Sequence, residues 1–112
     1  GDKILKGISA LLTKHLRRID TAARYGGEEF VAILPETTRD DSQTTAEKIR
    51  EIIEKYKFIE ESAVTISIGV ASYPDNGKDS SELIQAADRA LYQAKVGGRN
   101  QVVVYGNSKT IT

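Results

Sequence analysis

Glu28 and Glu29 are neighbouring carboxylates set directly after two glycines, Gly26 and Gly27, and directly before the apolar run Phe30-Val31-Ala32-Ile33-Leu34. A bare Gly-Gly turn lets a phosphate or a metal-bound oxygen come close to the backbone. The stretch from Arg24 to Leu34 reads as strand, tight turn, strand, with the glycines supplying the positive φ angles that a two-residue hairpin turn prefers. Successive strand residues point to opposite faces, so the two glutamates cannot both decorate one face. The same spacing also describes an ordinary glycine-rich turn with hydrated glutamates, and residue types alone do not choose between these.

The elements that must carry this hairpin follow from periodicity. Gly1 to about Arg18 has the three-to-four spacing of a helix, with Ile4, Ile8, Leu11, Leu12, His15 and Ile19 on one stripe, widened by Leu5 and Leu16. Arg17 and Arg18 then fall in its last turn, where cations suit the helix dipole. Thr21–Tyr25 and Glu29–Leu34 are the hairpin strands, closed by Pro35. After a turn over 37–42, with Asp40 and Gln43 spaced as a capping pair, a helix is expected to about Tyr56, with Ala46, Ile49, Ile52, Ile53 and Tyr56 facing inward. Ala63–Tyr73 alternates, which predicts a strand with one face against helices. Asp79 and Glu82 have capping-box spacing for a further helix to about Val96, stopped by Gly97-Gly98. Val102–Tyr105 is a last strand.

The order α-β-β-α-β-α-β predicts an α/β sandwich around a mixed sheet, since helix-linked strands favour parallel neighbours and the hairpin is antiparallel. The 112 residues suit one domain, 1–106, with a tail at 107–112. Acids and bases balance at 16 each, which gives no general attraction to nucleic acid or to a membrane surface. The chain has no cysteine, which removes disulfides and thiolate metal sites and suits a reducing, cytoplasmic compartment. No apolar run approaches the ~20 residues of a membrane span. The lone His15 has no spaced partners and reads as a helix-surface or core-edge residue, not a metal ligand.

Gly26-Gly27-Glu28-Glu29-Phe30 resembles the signature of the GGDEF family, the diguanylate cyclases, in its Glu form. Thr65-Ile66-Ser67-Ile68-Gly69-Val70 resembles the family's later strand. Ala87-Asp88-Arg89-Ala90-Leu91-Tyr92-Gln93-Ala94-Lys95 with Gly98-Arg99-Asn100 resembles its last helix and exit loop. The resemblance covers nearly the whole chain. It implies a sheet of the nucleotide-cyclase/palm (ferredoxin-like) type that lacks the family's first strand and helix, an N-terminal truncation. In the family that strand is central, and the missing segment of strand, turn and helix carries a metal-binding Asp and a guanine-reading Asn. Its loss implies exposed strand edges, hence a homodimer with strand exchange or edge pairing between chains.

The resemblance also assigns roles. Members condense two GTP molecules into cyclic di-GMP, a bacterial second messenger, releasing pyrophosphate with the help of Mg²⁺ or Mn²⁺. Glu28 matches the metal-binding acid also proposed as base for the 3′-hydroxyl. Glu29 matches the second acid at the metal. Gly26 and Gly27 match the turn beside the triphosphate, and Lys95 and Arg99 match the basic pair on its terminal phosphates. Asp2 matches a guanine-contacting acid and could equally cap the first helix. Arg17 and Asp20 match the RxxD product-inhibition site, with Lys48 where many members have an Arg. Without the family, Lys95 and Arg99 are a helix-end cation and a surface arginine, and Arg17–Asp20 is an (i, i+3) ion pair. The resemblance further implies an upstream regulatory domain in a parent protein that can be membrane-anchored. The competing reading is a degenerate GGDEF domain that only binds cyclic di-GMP or GTP.

Overall fold

The computed structural model describes residues 2–26, 28–55 and 65–106, with side chains from residue 6 onward. Its elements are α1 (Asp2–His15), β1 (Thr21–Gly26), β2 (Glu29–Pro35), α2 (Arg39–Lys55), β3 (Ser67–Tyr73), α3 (Ser80–Val96) and β4 (Val102–Val104). The order agrees with the periodicity. The strands form one sheet in the order β1-β2-β3-β4, with β1 antiparallel to β2 and the other pairs parallel. Helices α2 and α3 are the crossovers that parallel neighbours require.

Alternation along the strands divides the core in two. Phe30, Ala32 and Leu34 of β2, Ile68 and Val70 of β3, and Val102 and Val104 of β4 face α1 and α2, meeting Ile8, Leu12, Ala46, Ile49 and Ile53. Val31 and Ala71 face α3, meeting Leu83, Ala86, Ala87 and Leu91, while Val103 meets Ala90 and Ala94. Each fully buried aliphatic side chain here, such as Ile53 or Val70, contributes about 1.5–3 kcal/mol relative to exposure. The expectation that β3 packs on one side only is therefore corrected, because its residues from Ser67 to Ser72 are buried on both faces. A parallel strand between two helical layers has no solvent face.

Gly69 sets how close α3 comes. A Cβ there would lie 2.3 Å from both the Ala87 carbonyl oxygen and the Leu91 nitrogen, atoms of helix backbone that cannot move aside. The alanine-rich inner face of α3 and the missing side chain at Gly69 together let helix and strand approach each other.

Several boundaries differ from expectation, each for a local reason. α1 ends at His15, because the Asp20 carboxylate takes the Arg17 N–H at 2.8 Å and Asp20 N donates to Arg17 O at 3.0 Å, closing a turn in place of more helix. Arg17 and Arg18 thus lie beyond the helix, and Ile19 is 57% exposed instead of continuing the buried stripe. α2 starts at Arg39 with Thr38 as its cap. The Thr38 Oγ1 accepts from Asp41 N at 3.1 Å, so Asp40 lies inside the first turn and is not the capping residue. At α3 the cap is as expected, with Asp79 Oδ1 accepting from Glu82 N, but the Glu82 carboxylate reaches back to Lys78 N. Tyr105 lies just past β4, and Ile52 is only partly buried. The side chains of Ile4 and Leu5, together with Tyr56, Ala63, Val64 and the tail 107–112, lie outside what is described.

The hairpin and β3 pair continuously within one chain, from Glu29↔Ser67 to Pro35↔Tyr73. Strand exchange between chains is therefore not needed to complete the sheet, and that expectation is overturned. The strong test of the packing is a pair of glycine substitutions. Gly69→Ala is expected to cost about 3 kcal/mol or to prevent folding, whereas Gly26→Ala, whose Cβ would meet nothing within 4 Å, stays within about 0.5 kcal/mol of the parent in urea unfolding.

Candidate functional site

The hairpin tip is built one residue differently from the expectation. Gly26 is the last residue of β1, paired with Glu29 after a register shift between Arg24 and Gly26. It is not in the left-handed region and belongs to the strand, while Glu28 lies in the turn and Gly27 lies outside the described residues. The open space over Gly26 still leaves room for a ligand to approach the backbone.

Glu28 and Glu29 have different surroundings. The Glu28 side chain is exposed with no side-chain partner among the described residues, while its carbonyl accepts from Ser67 N at 2.9 Å. Glu29 is the first residue of β2 and is held by two cations. Lys95 Nζ lies 3.2 Å from one carboxylate oxygen and Arg99 Nη1 lies 3.2 Å from the other. Lys95 comes from the last turn of α3, and Arg99 from the loop that follows it. The structure thus gathers Glu29, Lys95 and Arg99 at one end of the sheet, with Glu28 beside them on the turn. The Lys95 and Arg99 hydrogen bonds hold the Glu29 carboxyl below the usual carboxylate range.

Arg99 stands in an unusual backbone. Gly98, Arg99 and Asn100 have φ of 120°, 64° and 45°, three positive values in a row, two of them on residues with a Cβ. Several bonds hold this loop. Arg99 N donates to Ala94 O at 2.9 Å, and Asn100 N donates to Ser67 Oγ at 3.2 Å. The Asn100 amide accepts from Arg50 Nη1 at 2.8 Å and donates to Glu54 Oε2 at 2.9 Å. Arg50 also pairs with Glu47 and Glu54 on its own helix, and these carboxylates raise its pKa further. Sequence reading gave Asn100, Arg50 and Ser67 no role. The usable signals were an Asn after Gly-Gly-Arg, since Asn tolerates left-handed φ, and an Arg flanked at i−3 and i+4 by Glu.

The other predicted cluster lies where α1 gives way to β1. Arg17 Nη2 and Nε meet the Asp20 carboxylate at 2.8–3.2 Å, and Nη2 also donates to Pro35 O at 2.9 Å and Thr37 Oγ1 at 2.6 Å. The Asp20 side chain is only 2% exposed, so this is more than a surface ion pair. It clips the start of the hairpin to its far end. Two grooves flank the pair, one of about 420 Å³ floored by Leu12, Leu16, Ala22 and Phe30, the other of about 320 Å³ against Thr37, Asp41 and Thr44. Lys48 is exposed on α2 and lines neither groove. His15 borders the second groove, half-buried, as a core-edge residue. The Asp2 side chain lies outside the described residues.

Among the described residues no three His, Asp or Glu side chains converge on a point. Mg²⁺ does not need such a cage, since it is commonly held through one or two carboxylates together with phosphate oxygens and water. Glu28 fits that role as it stands, and Glu29 would do so once its two cations were drawn elsewhere.

The Glu29 contacts make a direct prediction. In metal-free solution the Glu29 carboxyl, followed by carbon NMR, titrates below the usual glutamate range, and Arg99→Ala or Lys95→Met moves it upward. Because the folded value is depressed, this pairing stabilises the fold above the unfolded glutamate pKa. Its contribution is lost as pH falls through the lowered folded value.

Comparison with known proteins bears on the same residues. The family model described as diguanylate cyclase, GGDEF domain, matches residues 1–101. The chain is 38% identical over 111 residues to diguanylate cyclase A of Treponema denticola, covering 96% of this chain and 30% of that protein. It is 42% identical over 108 residues to response regulator PleD of Caulobacter vibrioides, covering 92% and 24%. It is likewise 42% identical over 110 residues to diguanylate cyclase DosC of Escherichia coli, covering 94% and 24%. The chain therefore spans between 24% and 30% of the length of these relatives. Among solved structures, the active GGEEF domain of a diguanylate cyclase from Vibrio cholerae superposes with a TM-score of 0.76 at 27% identity, covering 96% of this chain and 69% of that one. The GGDEF domain of DgcB from Caulobacter crescentus in complex with c-di-GMP gives 0.75 at 28% identity, covering 95% and 65%. A hairpin ending in two glutamates, a basic helix end folded onto it and a match along nearly the whole chain lead to one assignment: this chain belongs to the GGDEF domain family of diguanylate cyclases.

Proposed function

We propose that this chain is the catalytic domain of a diguanylate cyclase that joins two GTP molecules into cyclic di-GMP and releases pyrophosphate. The observation that carries this reading is the convergence of Glu29, Lys95 and Arg99 beside the open turn at Glu28. A triphosphate needs cationic groups at its far end and open backbone near its reacting end, and this end of the sheet supplies both. Lys95 and Arg99 take the terminal phosphates. A triphosphate carries more charge than one carboxylate and draws both cations off Glu29. Glu29 is then free to join Glu28 as a metal ligand. Glu28 and Glu29 would then hold Mg²⁺ or Mn²⁺, which would supply charge neutralisation on the phosphates during in-line attack. In this reading Glu28, exposed on the turn, accepts the proton of an incoming 3′-hydroxyl. Because each GTP attacks the other, two such tips must face one another, so the working unit is a homodimer. The 112 residues by themselves are expected to be inactive or nearly so, which assaying the isolated chain with GTP and Mg²⁺ tests.

The full-length protein carrying this chain, incubated with GTP and Mg²⁺, is expected to form cyclic di-GMP, and Glu28→Gln to lower kcat by about 10²-fold or more. Failure of the wild-type protein to form any product, or full activity in Glu28→Gln, rejects the enzyme reading. Binding of a GTP analogue without turnover would favour the binding-module alternative.

Product inhibition through Arg17 and Asp20 belongs to the same proposal. The pair is already organised, and grooves open on both sides of it. Its test is Arg17→Lys, which keeps a cation on the buried Asp20 but loses the planar fork. Calorimetry with cyclic di-GMP is expected to show affinity weakened by about tenfold or more, with the unfolding midpoint little changed. Equal affinity in the two proteins removes the site from the proposal.

A further inference from the structure

Arg99 reaches Glu29 only because the chain holds an unfavourable backbone just before β4. Left-handed φ is unfavourable for a residue with a Cβ, less so for Asn, and Arg99 and Asn100 both adopt it. Such conformations persist where the surroundings over-determine them. Here the surroundings are identifiable. The Asn100 amide sits between a pure donor and a pure acceptor. Its oxygen accepts from Arg50 and its nitrogen donates to Glu54, so only one orientation of the amide satisfies both. Arg50 is itself fixed, only 12% exposed, by Glu47 and Glu54. The Asn100 N–H is fixed by Ser67, the residue that pairs with Glu29 across the sheet.

We infer that Asn100, clamped between Arg50 and Glu54 of α2, is a positioning residue that aims the Arg99 guanidinium at the Glu29 end of the site. This rests on the reading above that Arg99 engages the triphosphate. Asn100 also bonds Ser67 beside the tip, but through its backbone N–H, which Asn100→Gly keeps, so the side-chain clamp acts through Arg99. Helix α2 thereby takes part in a site to which it gives no side chain.

The experiment uses the full-length protein, with Asn100→Ala and Asn100→Gly compared in wild-type and Arg99→Ala backgrounds. Glycine adopts left-handed φ without strain, so Asn100→Gly keeps the fold available while removing the clamp. Both variants are expected to raise KM for GTP by roughly tenfold with kcat changed less than about threefold, and to have no further effect once Arg99 is alanine. Loss of activity by the same factor in both backgrounds, or an unchanged KM in Asn100→Gly, overturns the inference. A second readout does not depend on turnover. In the nitrogen-labelled protein, the Arg99 Nε–H heteronuclear NOE is expected to match that of ordered backbone in wild type and to fall in Asn100→Gly. An Arg99 side chain that stays as rigid without the clamp overturns the inference even if the protein never turns over GTP. A wild-type protein with an ordered Arg99 and no cyclic di-GMP rejects the enzyme reading and leaves the clamp standing.

Discussion

The parallel pairing of β2 with β3 is the constraint on which the rest of this domain depends. Its first register pair, Glu29 opposite Ser67, determines what stands beside the hairpin tip. Ser67 gives its N–H to the Glu28 carbonyl on one side and takes the Asn100 N–H on its hydroxyl on the other. One buried serine thus ties the turn to the exit loop of α3. A slip of one residue would reverse every side chain of β3, burying the wrong face on both helical layers, so the register is strongly specified.

Charge at this end of the sheet is organised although the chain as a whole is neutral. Isolated surface ion pairs contribute little, because water screens them and ordering long side chains costs entropy. The arrangement here is of another kind. One carboxylate is shared by two cations from different parts of the chain, each already held by an element with its own core contacts. Lys95 is fixed by α3, whose alanine face rests on Gly69, and Arg99 by the loop clamped to α2. The geometry therefore comes from packing on both sides of the sheet, and the charges are the part presented to a ligand.

The α1–β1 corner shows how one group of residues can serve both architecture and recognition. Arg17 satisfies a nearly buried aspartate, a backbone carbonyl and a threonine hydroxyl, and so fastens the end of β2 to the start of β1. A ligand that used the same guanidinium would be reading a group whose orientation is already paid for by folding.

Element order, helix caps near Asp79 and the burial of most apolar positions were legible in the residues, because periodicity and capping are local properties. The family motif was legible too, since it is a run of adjacent residue types. The turn at Gly26 was misplaced by one residue, because a register shift depends on the partner strand and leaves no mark in local composition. The double burial of β3 was hidden by its small residues. Ser67, Gly69 and Ala71 look polar or neutral in sequence, yet they are small so that α3 can come close. Most of all, nothing local tells that Glu29 meets Lys95 and Arg99, or that Asn100 meets Arg50. Those contacts span 66, 70 and 50 positions and exist only once the sheet brings the hairpin tip, the end of α3 and the inner face of α2 to one place.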